Sequence, residues 1–197
     1  MAETFPNPLP VKWQSQLDNA SGTGYRECFS SSCAMLAMYW GRIKDDDAYN
    51  RVRSMYGDST NAEAQLRALR LLQLDAHFRT DGRPEDIERE IDAGRPVAVG
   101  WLHKGSSSNP FGGGHWTVIK GYNDTHWIHN DPNGEAMLAS GGYTTNRNGA
   151  GVQYSRRNWN PRWIPGGTGG WMLTCSKPPL TQESLAARPQ RASGGAA

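Results

Sequence analysis

Cys28 precedes the longest apolar run of the chain, Cys33 to Trp40, and the stretch Phe29 to Trp40 is apolar nearly all round. Such a pattern predicts a buried helix. Cys28 then stands at its N-terminus, where partial positive charge and unpaired N–H groups favour a thiolate, the nucleophilic form. The bland alternative is a small buried hydrophobe, the common fate of cysteine. That alternative is the reading for Cys33, inside the run, and for Cys175, inside an apolar strand pattern near the end of the chain.

A thiolate nucleophile needs a base, and the base needs an orienter. Five histidines are available: His77, His103, His115, His126 and His129. His115 follows Gly112-Gly113-Gly114 and opens the strand-like His115 to Tyr122. Glycine lets backbone approach a ligand closely, so Gly114 and Trp116, on either side of His115, are expected to line a substrate site. Asp131 follows the next strand pattern, His126 to Asn130, within Asp131-Pro132-Asn133-Gly134. Adjacent antiparallel strands bring the start of one near the end of the next, so His115 and Asp131 can meet. Asp131 can equally serve the turn that this tetrapeptide favours. For an oxyanion donor the candidates upstream of Cys28 are Gln16 and its competitor Gln14.

A metal hydrolase built on His126, His129 and Asp131 or Cys28 is the other reading of these residue types. Residues three apart on a strand face opposite sides, and no His-Glu-x-x-His or Cys-x-x-Cys is present. No metal or cofactor is therefore expected.

The elements that must hold these groups read as follows. Val11 to Leu17 nearly alternates and predicts a short strand. The Phe29 to Trp40 helix has Ser30 to Ser32 as candidate N-caps and Gly41 as its stop. Helices are predicted at Asp45 to Tyr56, at Asn61 to Leu72 with a Thr60/Glu63 capping box, and at Arg83 to Ala93. Strands follow at Pro96 to His103, His115 to Tyr122, His126 to Asn130, Glu135 to Leu138 and Gly170 to Ser176. Helices first and strands second indicate an α+β domain. Gly141 to Ser176 mixes Tyr143, Tyr154, Trp159, Trp163 and Trp171 with many Gly, Asn and Arg. These rings could form a satellite core or stack on a sugar or peptide, and Arg156, Arg157 and Arg162 could bind carboxylates or form a solvated face.

The chain has 197 residues, with 21 Lys plus Arg against 19 Asp plus Glu. Residues 1–176 carry 18 charges of each sign, and a neutral body argues against nucleic acid as the partner. One domain over 1–176 is expected, 141–176 being an extension of it, with a flexible tail at 177–197. Three cysteines form no disulfide or zinc framework. No apolar run approaches the roughly 20 residues of a membrane span, and the start shows no secretory signal.

Together these motifs resemble the bacteriocin-processing peptidases, papain-like cysteine peptidases first known from double-glycine leader removal. The resemblance rests on Ser15-Gln16-Leu17-Asp18-Asn19, Cys28, Ala34 to Gly41, Gly94 to Gly100, Gly114 to Tyr122 and Asn130-Asp131-Pro132, over about residues 11–139. It departs after the nucleophile, with Phe29-Ser30-Ser31-Ser32 where the family has Gly-Pro or Asn-x-Thr. The resemblance implies a papain-like fold and a peptide-bond hydrolase. In it Cys28 is nucleophile, His115 base, Asp131 orienter and Gln16 oxyanion donor. As a whole the chain looks like small stand-alone peptidases of bacteria and phages. That implies peptide or peptidoglycan as substrate and action on the cell wall by way of a holin or a virion. The competing expectations are a catalytically silent binding module for wall glycan or peptide and an amidase or acyltransferase of the same fold.

Overall fold

The computed structural model describes residues 4–167 and 169–178. The tail expected at 177–197 lies outside them from residue 179 onward. Among the described residues, five α-helices and eight strands run in the order α1 (Cys28–Tyr39), α2 (Asp46–Ser54), α3 (Ala62–Leu71), β1 (Asp75–Gly82), α4 (Pro84–Asp92), β2 (Val97–Trp101), β3 (His115–Tyr122), β4 (His126–Asn130), β5 (Glu135–Ala136), β6 (Tyr143–Thr145), β7 (Ala150–Ser155), α5 (Arg156–Trp163) and β8 (Gly170–Ser176). Six strands form one antiparallel sheet in the order β1-β8-β2-β3-β4-β7, and β5 and β6 form a separate ribbon.

Helix α1 packs against β2 and β3, and α2 and α3 pack on α1. Its residues Phe29 to Ala37 are all buried. Sequence reading gave this helix no polar face, with its serines as caps. They are instead helical, and two of them bond inward: Ser31 Oγ donates to Asp46, while Ser30 Oγ accepts from Arg53 and Gln65. A buried hydroxyl needs such a partner, so the serines tie α1 to α2 and α3. The Thr60/Glu63 box is also replaced: Asn61 caps α3 through Ala64 N, and Thr60 bonds Asp58.

Strand alternation sends neighbouring β3 side chains to opposite sides. Trp116 turns to α1 and stacks on Phe29, ring centroids 3.6 Å apart. Thr117 turns the other way, accepting from Trp101 Nε1 at 3.1 Å and bonding His129 Nδ1 at 2.9 Å. On that side Tyr154, Trp159 and Trp163 are buried with Trp127. Tyr154, Trp159 and Trp163 thus belong to the one hydrophobic core and not to a separate satellite, while Trp171 stands out, 53% exposed.

Three expectations fail for identifiable reasons. Val11 to Leu17 forms no strand. It runs extended and then turns through a short 3-10 segment, Gln16–Asp18, tied to the sheet by side chains such as Asn130 Nδ2 on the Val11 carbonyl. The helix-then-strand order is broken by β1, an edge strand between α3 and α4 whose polar sequence hides its pairing with β8. Helix α5 was not foreseen, because Pro161 and two asparagines give it a poor helical pattern.

Candidate active site

Cys28 occupies the first position of α1 and is half-buried. A helix start leaves backbone N–H groups without intrahelical partners. The preceding Glu27 is a buried carboxylate, which would oppose an anion at Cys28. Its side chain is turned inward and accepts from Asn19, Ser21 and Thr23 at 2.7–3.0 Å, with Arg53 at 3.7 Å.

His115 is 5% exposed at the start of β3, and Asp131, fully buried, directly follows β4. The antiparallel pairing of Val118 with Asn130 carries them together. His115 Nε2 meets Asp131 Oδ1 at 2.8 Å. That leaves Nδ1 uncommitted, with Cys28 near enough for its charge to act on the imidazole. Burial by itself disfavours the charged ring. The Asp131 charge and hydrogen bond, with the nearby Cys28, outweigh it and lift His115 to about 10.

Asp131 is held on every side. Oδ1 also accepts Asn133 N at 2.9 Å, and Oδ2 accepts the Tyr154 hydroxyl at 2.8 Å. Its backbone N–H donates to Gly149 O at 2.8 Å, and its carbonyl accepts Trp13 Nε1 at 2.7 Å. Any Cβ on Gly149 would collide with that carbonyl, so the turn between β6 and β7 needs glycine there. Tyr154 and Gly149 went unrecognised in the sequence, because nothing local ties them to Asp131.

Gln16 is buried, and its backbone N–H donates to Pro132 O at 2.9 Å. One side-chain N–H bonds Gly24 O at 2.9 Å, and Oε1 has no partner among the described residues. The second N–H remains for a ligand. Gln14, its competitor, instead accepts Asp46 N and lines a separate pocket at the start of α2.

Beside Cys28 lies a cleft of about 430 Å³. Gly112 to Gly114 form one wall, with Gly114 at φ +87°. Phe29, Trp101, Trp116, Trp163 and Trp171 supply apolar surface. The loop before His115 is braced by buried Arg162, whose guanidinium donates to the carbonyls of Leu102, Lys104, Gly105 and Leu138 at 2.6–3.1 Å. Arg162 therefore serves backbone and not a substrate carboxylate. Arg156 pairs with Glu88 and covers Trp127, while Arg157 is exposed. Among the described lining residues none carries a carboxylate or an uncommitted cation.

The remaining histidines separate from the pair. His129 is fully buried and held neutral, burial pushing it well below 6.5. His126 bonds Thr125 at the far end of β4. His103, 5.9 Å from the His115 ring, is pushed down to about 4 by burial and by His115. Among the described residues, no three His, Cys, Asp or Glu side chains converge as a metal site, and no helix is long and apolar enough to cross a membrane.

The sequence profile of the Peptidase_C39 like family matches residues 8–161. The match takes in 141–161, beyond the residues that carry the resemblance in sequence. Among similar solved structures is a C39-like peptidase from Bacillus anthracis, with TM-score 0.61 and 16% identity over 90% of this chain and 99% of that one. Another is the peptidase domain of Streptococcus ComA, a bifunctional ABC transporter of a quorum-sensing pathway, at 0.55 and 16% over 85% and 99%. A third is a double glycine motif protease from an AMS/PCAT transporter in complex with the leader peptide, at 0.55 and 21% over 90% and 100%. No curated protein matches the chain significantly. Helices packed on an antiparallel sheet are thus the papain-like fold of these C39 peptidases.

Proposed function

The chain belongs to the Peptidase_C39 like family and is a cysteine peptidase; on that premise we propose that it is an endopeptidase acting through Cys28, His115, Asp131 and Gln16. The observation that carries the assignment is the buried His115–Asp131 pair turned to Cys28 at the helix start, on the wall of the cleft.

In this reading the Cys28 thiolate attacks a peptide carbonyl carbon. The oxyanion takes N–H donors from the start of α1 and the free N–H of Gln16. His115, charged below about pH 10, gives its Nδ1 proton to the leaving amine as the C–N bond breaks. Water then adds to the thioester with neutral His115 as base. The carboxylate leaves, and the proton returns to the Cys28–His115 pair. Asp131 accepts a hydrogen bond from Nε2–H throughout and fixes the tautomer. Gly114 and Trp116 bound the substrate cleft beside the reacting atoms.

The uncharged, glycine- and aromatic-lined cleft favours small or apolar neutral residues. Among wall components that chemistry fits a peptidoglycan cross-bridge better than the acidic stem. The proposed setting is therefore cell-wall cleavage by a phage or bacterial lysin, reached through a holin or a virion. The complex of one structural neighbour with a leader peptide supports a peptide substrate. The test is release of new amino groups from purified walls and from cross-bridge peptides. Release by the wild type and not by Cys28→Ala is expected. Equal release by both overturns the cysteine mechanism. Cleavage of free peptides but not of walls overturns the peptidoglycan assignment and leaves the peptidase intact.

A further inference from the structure

We propose that Tyr154 is a positioning residue that fixes the carboxylate plane of Asp131 and, through it, the imidazole of His115. This rests on the Cys28–His115–Asp131 reading and extends it to a residue on β7. Tyr154 is 2% exposed, its ring packed against His129 and Trp101. Its hydroxyl oxygen accepts Ala136 N at 2.9 Å. A hydroxyl has one hydrogen, and with a donor already at its oxygen that hydrogen goes to Asp131 Oδ2, at 2.8 Å. Burial, foremost, and the nearby Asp131 charge raise the phenol well above its usual range, so it stays a donor.

The other carboxylate oxygen is left for His115 Nε2 and Asn133 N. Without the hydroxyl, Oδ2 has no donor in a fully buried site, and rotation of the carboxylate to recover one breaks the alignment with His115. The ribbon strand β5 thereby takes part in the site: its Ala136 N–H orients the hydroxyl that orients the acid.

The test is a double-mutant cycle on kcat and KM. Tyr154→Phe keeps the ring and removes the donor. It is expected to lower kcat about 10–100-fold, the size of one hydrogen bond to a charged group, with KM unchanged. In the Asp131→Asn background the same change is expected to have no further effect on kcat. An unchanged kcat in Tyr154→Phe, or a loss that adds in full to that of Asp131→Asn, overturns the inference and leaves the catalytic reading standing. An Asp131→Asn variant with wild-type kcat overturns both. Should Tyr154→Phe not fold, 3-fluorotyrosine at 154 provides the second arm. Its more acidic hydroxyl donates more strongly to the carboxylate, so the His115 ring should titrate at lower pH by NMR. An unmoved titration refutes the role.

Discussion

Asp131→Asn is the perturbation whose size the structure sets most directly. Raising His115 from 6.5 to about 10 favours the imidazolium by about 5 kcal/mol. Burial is the largest influence on the ring and acts against the charge, so the rise depends on its neighbours, Asp131 before Cys28. The asparagine keeps an oxygen for Nε2 but removes the charge, and burial then drives the ring down toward its ordinary 6.5. At pH 8 a ring titrating at 6.5 is charged only about 3% of the time, so up to about 30-fold of the imidazolium is lost. The turnover rate should fall by roughly 10²–10⁴, the range for a disabled acid–base group, and recover in part as pH is lowered toward 6. Stability follows the same linkage. A raised histidine contributes stability that is full below pH 6.5 and is lost as pH rises through about 10. The variant should lack that decline. The assay is a ring-proton NMR titration of His115 beside kcat/KM against pH. A ring that still titrates near 10 in Asp131→Asn, or an unaltered pH–rate profile, refutes the reasoning.

Other expectations concern the scaffold. Asp46, 6% exposed, is raised to about 6 mainly by burial; its native form holds a proton that the unfolded chain releases near 4, so stability falls as pH rises between them. Asp46→Asn should therefore be stabilising by about 1 kcal/mol at pH 8 and neutral near pH 4, read by denaturant unfolding. Trp159→Ala, at a fully buried ring among Trp127, Trp163 and His129, should cost about 3–5 kcal/mol in the same assay. Arg162→Met leaves the carbonyls of Leu102, Gly105 and Leu138 without a donor, while that of Lys104 keeps Phe111 N, and should lose about 3 kcal/mol or more, with faster hydrogen exchange in residues 102–105.

What was legible in the sequence was what local pattern encodes. The α1 run, the strand-like composition of β3 and β4 and the glycines before His115 announced their elements within a residue or two, and the register of β3 on β4 brings His115 to Asp131. Groups whose partners lie far along the chain were not legible. Tyr154 meets Asp131 across 23 positions and Arg53 meets Ser30 across 23. Arg162 gathers carbonyls 24 to 60 residues away. Nothing near those residues signals the contact, so three arginines read as possible carboxylate binders when two are committed inside the fold. Edge strand β1 escaped for a related reason. With only one neighbour it turns just two apolar side chains to the core, Ala76 and Phe78, between Asp75, His77 and Arg79, and two apolar positions are too few to mark a strand.

The central claim is that Cys28 is the nucleophile, set apart from the other two cysteines by its access and by His115. It is tested most directly by alkylating the native protein with iodoacetamide across pH 4 to 9 and mapping the label. Cys33 is fully buried with its thiol pushed well above the usual range, and burial pushes Cys175 up to about 12. The account predicts fast labelling of Cys28 alone, lost in His115→Ala. Labelling of Cys28 no faster than that of the other two cysteines, or unchanged in His115→Ala, would contradict it.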